Sequence, residues 1–322
     1  MKLVTTQAGQ ETRAGVVVDD RVFDAQGLLS RPAAVPDVQA LFQLGPEVLD
    51  DLLRALTAAL SGERRSGVPL VERKLCVPVL QPPTIRDFMA YEGHATMGGQ
   101  WKMPEAFYRL PVFYFSNPLC LYAHGEAVPF PSASRKLDYE LEIAAVVCRE
   151  GRDIAAADAM DYIGGFTIFN DLSARDLQRD EMQCNLGPAK GKDFASCLGP
   201  WVVTLDELGP LVRDGQLHSR CTLRVNGVEW VAGTAANMHH DWPALVERAS
   251  RDSRIVPGDL ICAGTIEGGS IPEAIRRGLP ARYLQPGDEI VIEVEGIGRL
   301  DTVLGERRRS GEGYRYAPPV RA

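Results

Sequence analysis

Three acidic residues occupy alternate positions in Asp138-Tyr139-Glu140-Leu141-Glu142, just before the apolar run Ile143-Ala144-Ala145-Val146-Val147. The run predicts a buried strand. Residues two apart in a strand share a face, so the three carboxylates would point one way, with Tyr139, Leu141 and Ile143 opposite. Carboxylates aligned on a half-buried face repel one another and lose hydration, at a cost of several kcal/mol per unpaired charge. A divalent cation removes both penalties, and hard ions such as Mg²⁺ or Ca²⁺ prefer oxygen ligands. An edge strand showing its acidic face to water is the other reading, and this stretch alone weighs the two equally.

More reactive side chains lie on either side. Asp87, His94 and Tyr114 fall within 84–125, a stretch of little regular periodicity. A long irregular segment inside a compact domain is more often a functional loop than filler. Arg175 and Gln178 stand three apart in Ser173-Ala174-Arg175-Asp176-Leu177-Gln178, a predicted helical turn, and can face one way. Lys190 and Lys192 sit in a loop rich in turn residues, 187–192. An isolated histidine is more often structural, a reading that suits His124, His218, His239 and His240.

The elements that must position these groups are mostly strands. Gly15-Val16-Val17-Val18 and Arg21-Val22-Phe23 predict a hairpin across Asp19-Asp20. Residues 46–61 predict a helix whose apolar face is Val48, Leu49, Leu52, Leu53, Leu56 and Leu60, ended by Gly62 and Glu63-Arg64-Arg65. A proline-punctuated connector, 77–83, places a boundary near residue 75. Beyond it come a short helix from Ala155 to Tyr162, a strand from Gly164 to Phe169 ending at Asn170-Asp171, and a strand starting at Trp201. Then follow a hairpin across Asn226-Gly227, a helix from Asp241 to Arg251, a strand from Asp259 to Thr265 and a final strand pair across Glu295-Gly296. The expected organisation is a small α+β unit over 1–75, a mostly β unit with some α over 76–305, and a polar tail over 306–322.

Composition narrows the function. The 322 residues are 45% hydrophobic and 24% charged, an ordinary globular make-up. A net charge of −8 argues against a general binder of nucleic acid or anionic membranes. An anionic substrate stays open, because a bound metal inverts the local field. Seven scattered cysteines with no CxxC pair fit reduced thiols in a cytoplasm, not a disulfide framework or a zinc site. No apolar run reaches transmembrane length.

Taken together, an ordered set of motifs resembles the fumarylacetoacetate hydrolase (fumarylacetoacetase) family. Asp87-Phe88 precedes His94-Ala95-Thr96, then Met103-Pro104 and Leu110-Pro111-Val112-Phe113-Tyr114. Leu137 to Glu142 and Asn170-Asp171-Leu172-Ser173-Ala174-Arg175-Asp176-Leu177-Gln178 follow. Gly191-Lys192-Asp193-Phe194, Gly199 to Val203, Pro257-Gly258-Asp259, Gly264-Thr265-Ile266 and Gly269-Ser270-Ile271-Pro272-Glu273 complete it. The resemblance spans about residues 75–305.

The resemblance implies a mixed β-sandwich roll of the family's C-terminal type, preceded by a small N-terminal domain. It implies a divalent metal, Mg²⁺ or Ca²⁺ with Mn²⁺ as an alternative, held by Asp87, Glu140, Glu142 and Asp171. Asp138 matches no ligand and reads as a solvated or helper carboxylate. His94 matches the base that activates water and Glu273 the carboxylate that orients it, with Glu92 and Glu267 as substitutes. Tyr114, Arg175, Gln178 and Thr265 match substrate-binding groups. Lys192 matches an active-site lysine, with Lys190 as its competitor; a salt-bridge network around Asp171 and Asp176 is the other reading of these cations. Met182 stands where another tyrosine occurs in the vertebrate-type enzyme.

The implied activity is hydrolysis of a carbon–carbon bond in a β-diketone acid, an acylpyruvate or fumarylacetoacetate-like compound of aromatic catabolism, through an enolate held on the metal. Decarboxylation, isomerisation, hydration or sugar-acid hydrolysis on the same site is the alternative, and a non-catalytic binding protein a further one. The presence of both His94 and Glu273 favours hydrolysis. The resemblance also implies a cytoplasmic homodimer acting on a small dicarbonyl acid.

Overall fold

The computed structural model describes residues 1–61 and 67–307. Two mixed sheets carry the chain. Their strands are β1 (Lys2–Ala8), β2 (Glu11–Val18), β3 (Arg21–Asp24), β4 (Ile85–Phe88), β5 (Phe113–Ser116), β6 (Ala127–Phe130) and β7 (Leu141–Val147). They continue as β8 (Ile163–Asp171), β9 (Ser196–Val203), β10 (Arg220–Val225), β11 (Val228–Thr234), β12 (Leu260–Cys262), β13 (Glu289–Val294) and β14 (Gly298–Arg307). The helices that bear on the site or its supports are α1 (Val48–Ser61), α2 (Glu92–Ala95), α3 (Arg175–Met182), α4 (Trp242–Ser250) and α5 (Ile271–Arg276).

The larger sheet runs β3-β2-β1-β9-β8-β7-β12-β4-β5, and the smaller runs β11-β10-β13-β14-β6. Lys2 of β1 lies opposite Val203 of β9, so hydrogen-bonded strands continue from the N-terminal hairpin into the middle of the large sheet. Every residue of β7 and β8 is buried. Such strands read as continuous apolar runs because both faces are covered. Leu141, Ile143, Ala145 and Val147 face a core shared with the smaller sheet and α4. Ala144 and Val146 face a second core formed with Phe42, Leu52 and Leu56 of the N-terminal unit. Glu142 shares the parity of Ala144 and Val146 and therefore lies on that second face.

Several elements match expectation. Val18 pairs with Arg21 across Asp19-Asp20. Asn226 and Gly227 both have positive φ, 50° and 79°, as a type I′ turn requires. Trp242, Leu245, Val246 and Ala249 form the buried face of α4.

Others differ. Leu53 is 42% exposed, so the buried stripe of α1 is Val48, Leu52 and Leu56. The expected helix stop at Gly62 to Arg65 and the tail beyond Arg307 lie outside the described residues. Residues 156–162 form a 3₁₀ helix, Ala156–Tyr162. β9 begins at Ser196, five residues before the expected start. Pro200 lacks a donor and reads as a strand breaker, but a register shift against Phe166 to Ile168 absorbs it. The stretch 84–125 is not irregular: β4 and β5 pair within it, with Asp87 opposite Tyr114. No helix among the described residues is long and apolar enough to cross a membrane.

Candidate active site

Three strands of the large sheet and one bridge residue just before β7 deliver the four carboxylates. β4 carries Asp87 and β7 carries Glu142, with β12 between them. Asp171 ends β8, where its backbone N–H donates to the Glu140 carbonyl at 3.1 Å. Glu140 itself bridges Ser270. Relative exposures of Asp87, Glu140, Glu142 and Asp171 are 3%, 4%, 1% and 0%. One oxygen from each of Glu140, Glu142 and Asp171 lies within 4.8 Å of the others.

Charge is unbalanced at this point. Two cations, the buried Lys192 and the partly buried Arg175, face Asp87, Asp138, Glu140, Glu142 and Asp171. The Lys192 ammonium contacts Glu140 and Asp171. Arg175 donates to Glu140 at 2.6 Å, to Asp138 at 2.7 Å and to Gln178 at 3.0 Å. Despite burial, these cations hold the Glu140 carboxyl well below the usual carboxylate range. Asp87 and Glu142 fare differently. Burial, then the charge of Asp171, pushes the Asp87 carboxyl up to about 8. Burial, then Asp87, pushes Glu142 upward as well. Asp87 Oδ1 and Glu142 Oε2 are buried without a donor. Two orphaned buried acceptors cost free energy that a divalent cation would recover, so the set fits a hard, oxygen-liganded metal.

His94 rises into this cluster from α2. Its Nδ1 lies 2.8 Å from Glu273 Oε2 and its Nε2 lies 3.8 Å from Glu140 Oε1. Glu273, at the third residue of α5, also accepts from the Ser270 hydroxyl at 2.7 Å and the Gly268 N–H at 2.8 Å. Burial opposes ionisation of Glu273, but His94, Ser270 and Gly268 together hold its carboxyl below the usual range. An ionised Glu273 accepts a hydrogen bond from Nδ1–H and so leaves the Nε2 lone pair facing the carboxylates. Glu92 instead accepts from Tyr108, and Glu267 pairs with Arg277.

The remaining expected residues converge on the same cluster. The Tyr114 hydroxyl donates to Asp87 at 2.9 Å and to Asp171 at 2.6 Å. Thr265 donates to Glu142 at 3.1 Å. Gly264 enables that approach: its φ is +84° and a Cβ there would stand 2.1 Å from the Phe88 carbonyl oxygen. Lys190 points elsewhere, exposed and paired with Asp193, and Met182 is 49% exposed. Asp176 takes the Ser134 hydroxyl and the Arg135 N–H, so the ion network forms around Asp138, Glu140 and Asp171 and leaves Asp176 outside it.

Asp138 corrects the solvated reading. It is fully buried and accepts both from Arg175 and from the Ile271 N–H at the start of α5. Burial raises its carboxyl to about 6 against the pull of Arg175. Sequence reasoning also passed over Ser270, Ser196, which donates to Asp171 at 3.2 Å, and Cys262, beside Asp87 and Glu142. Ser270-Ile271-Pro272-Glu273 has the Ser-x-x-Glu form of a helix start, a signal that points to Ser270. Nothing in the sequence pattern points to Cys262.

Known proteins place this geometry in a family. A family model described as fumarylacetoacetate (FAA) hydrolase C-terminal matches residues 84–304. Oxaloacetate tautomerase YisK of Bacillus subtilis is 32% identical over 241 residues, covering 73% of this chain and 74% of that protein. The 4-hydroxyphenylacetate degradation bifunctional isomerase/decarboxylase of Salmonella dublin is 30% identical over 192 residues, 59% of this chain and 40% of that protein. In fold, maleylpyruvate hydrolase from Sphingobium sp. SYK-6, solved with manganese(II) and pyruvate, superposes with a TM-score of 0.72 at 24% identity. That likeness covers 96% of this chain and 100% of the other. The chain belongs to the fumarylacetoacetate hydrolase family, and its relatives named here include a tautomerase and an isomerase/decarboxylase.

Proposed function

We propose that this protein is a divalent-metal-dependent hydrolase that cleaves a carbon–carbon bond in a β-diketone acid of the acylpyruvate or fumarylacetoacetate class. The observation that carries the reading is the imidazole of His94, anchored on one nitrogen by Glu273 and facing the carboxylate cluster with the other. Asp87, Glu140, Glu142 and Asp171 would hold Mg²⁺, Ca²⁺ or Mn²⁺, which when bound polarises the substrate's carbonyl oxygens as a Lewis acid.

The chain's own groups do the rest. His94 Nε2 takes a proton from water, and the hydroxyl adds to the keto carbon. Glu273 stabilises the imidazolium that forms. The carbon–carbon bond breaks with its electron pair on the leaving carbon, as an enolate, which then takes up a proton from His94 or water. Lys192 keeps its proton, because Asp171 and Glu140 outweigh the burial that opposes its charge. It acts as a fixed positive charge where negative charge develops. Arg175 and Gln178 set the position of Glu140, while Tyr114 and Thr265 orient the other carboxylates. A small dicarbonyl acid as substrate, a homodimer and a cytoplasmic location belong to the same proposal.

A second reading is tautomerisation of a 2-oxo acid, favoured by the match to oxaloacetate tautomerase. It needs the His94–Glu273 pair as a proton shuttle but no attacking water. Loss of enol absorbance with a panel of acylpyruvates, fumarylacetoacetate and oxaloacetate, with and without Mg²⁺ or Mn²⁺, separates the two. Metal-dependent formation of two acid fragments supports hydrolysis. Enol–keto conversion without fragments overturns it in favour of the second reading.

A further inference from the structure

The floor of the carboxylate cluster contains a sulfur. Cys262 lies opposite Asp87 in the parallel pairing of β12 with β4, and opposite Ala144 of β7 on the other side. It is fully buried. One carboxylate oxygen each from Asp87 and Glu142, together with Cys262 Sγ, lie within 4.8 Å of one another. This trio overlaps the all-oxygen group of Glu140, Glu142 and Asp171 through Glu142. The two orphaned buried acceptors of the region, Asp87 Oδ1 and Glu142 Oε2, belong to the carboxylates of the sulfur-containing trio.

Oxygen sets select hard ions, whereas a thiolate added to carboxylates selects softer ones such as Zn²⁺ or Cd²⁺. The geometry points to a second, thiolate-containing cation position formed by Asp87, Glu142 and Cys262, which takes a thiophilic divalent ion and excludes the hard ion from the neighbouring carboxylates. Because Asp87 and Glu142 serve both positions, the two ions compete. The inference rests on the metal-site reading proposed above. As the metal–sulfur bond forms, the thiol proton leaves to solvent, with no change of oxidation state.

Competition between manganese and cadmium tests it in chelator-treated whole chain, Cys262→Ala and Cys262→Ser. Bound Mn²⁺ is read by electron paramagnetic resonance, and cadmium–thiolate bonds by their near-ultraviolet charge-transfer absorbance. The six other cysteines are common to all three proteins and cancel in the differences. The expected result is unchanged Mn²⁺ affinity, a charge-transfer difference worth one thiolate per chain, and Cd²⁺ displacing Mn²⁺ roughly 10- to 100-fold more readily from the parent than from either variant. Equal absorbance or equal displacement, with Mn²⁺ still bound, overturns the sulfur position and leaves the oxygen site standing. Failure of all three proteins to bind either ion overturns both. Cys262→Ser keeps nearly the same volume and carries the comparison if Cys262→Ala does not fold, as judged by thermal melting.

Discussion

Arg86 and Asp87 are adjacent on β4, buried to nearly the same degree, and live in opposite electrostatic circumstances. Arg86 pairs with Asp259 at 3.3 Å. Thr84 donates to one oxygen of Asp259 and the Val256 N–H to the other, while Arg86 also donates to the Arg254 carbonyl. Every charge there is matched and every acceptor filled. One residue on, Asp87 faces other carboxylates across the sheet, and its Oδ1 has no donor. The imbalance at Asp87 is what the proposed cation would relieve, whereas the Arg86–Asp259 pair needs nothing from outside the chain.

The comparison breaks most clearly under mutation. Arg86→Ala leaves Asp259 buried without its cation and should cost about 3–5 kcal/mol of stability in a denaturant melt, with Mn²⁺ affinity of the folded protein unchanged. Glu142→Gln should do the reverse. The amide is neutral in both folded and unfolded chains, so folding no longer has to hold a proton on a buried carboxyl and the metal-free protein becomes more stable near neutral pH, yet Mn²⁺ affinity measured by calorimetry falls roughly 100-fold or more. If both variants lose stability alike, the two regions are equivalent and the contrast fails.

Within the cluster, His94→Ala should lower turnover by roughly a hundred- to ten-thousand-fold while Mn²⁺ still binds. Retained turnover would remove the base from the mechanism.

Acidity sharpens the contrast further. Folded Asp87 and Glu142 have carboxyls raised above their unfolded values, Asp87 to about 8. Groups raised in this way stabilise the fold fully at acid pH and lose that contribution as pH rises through the folded value. The melting temperature of metal-free protein should therefore fall between roughly pH 5 and pH 9. Glu140 and Glu273 are lowered and act in the opposite sense, but only in more acidic solution. Saturating Mn²⁺ should flatten the fall, because the ion displaces the protons. The smallest effect expected is Ser270→Ala, worth about 0.5–1.5 kcal/mol for one hydrogen bond to Glu273. It should appear as a few-fold loss of kcat with little change in KM.

Much of the candidate site was legible in the sequence, though the Arg86–Asp259 pair beside it was not, and what was hidden had local causes. The ordered motifs pointed to the eleven residues from Asp87 to Glu273 that the fold draws together, the His94–Glu273 and Thr265–Glu142 pairs standing beside a hydrogen-bonded group centred on Lys192 and Arg175. Alternation of Asp138, Glu140 and Glu142 suggested one acidic face, but the segment is broken between two pairings. Leu137–Asp138 pairs with Ser173–Ala174, and the large sheet takes the chain only from Leu141. Both faces are buried, so alternation of polarity carried no alternation of burial. β4 escaped notice because four residues buried on both faces leave no period to detect. Partners such as the Ile271 N–H and Gly268 N–H are backbone groups from distant segments, invisible to any side-chain pattern.

The most direct test of the central claim is calorimetric titration of Mn²⁺ into chelator-treated protein near neutral pH, in two buffers of different ionisation enthalpy. The account predicts one ion per chain, with net proton release as Asp87 and Glu142 give up their protons, and loss of that event in Glu142→Gln. Absence of binding, or binding with no proton release that Glu142→Gln leaves intact, would contradict it.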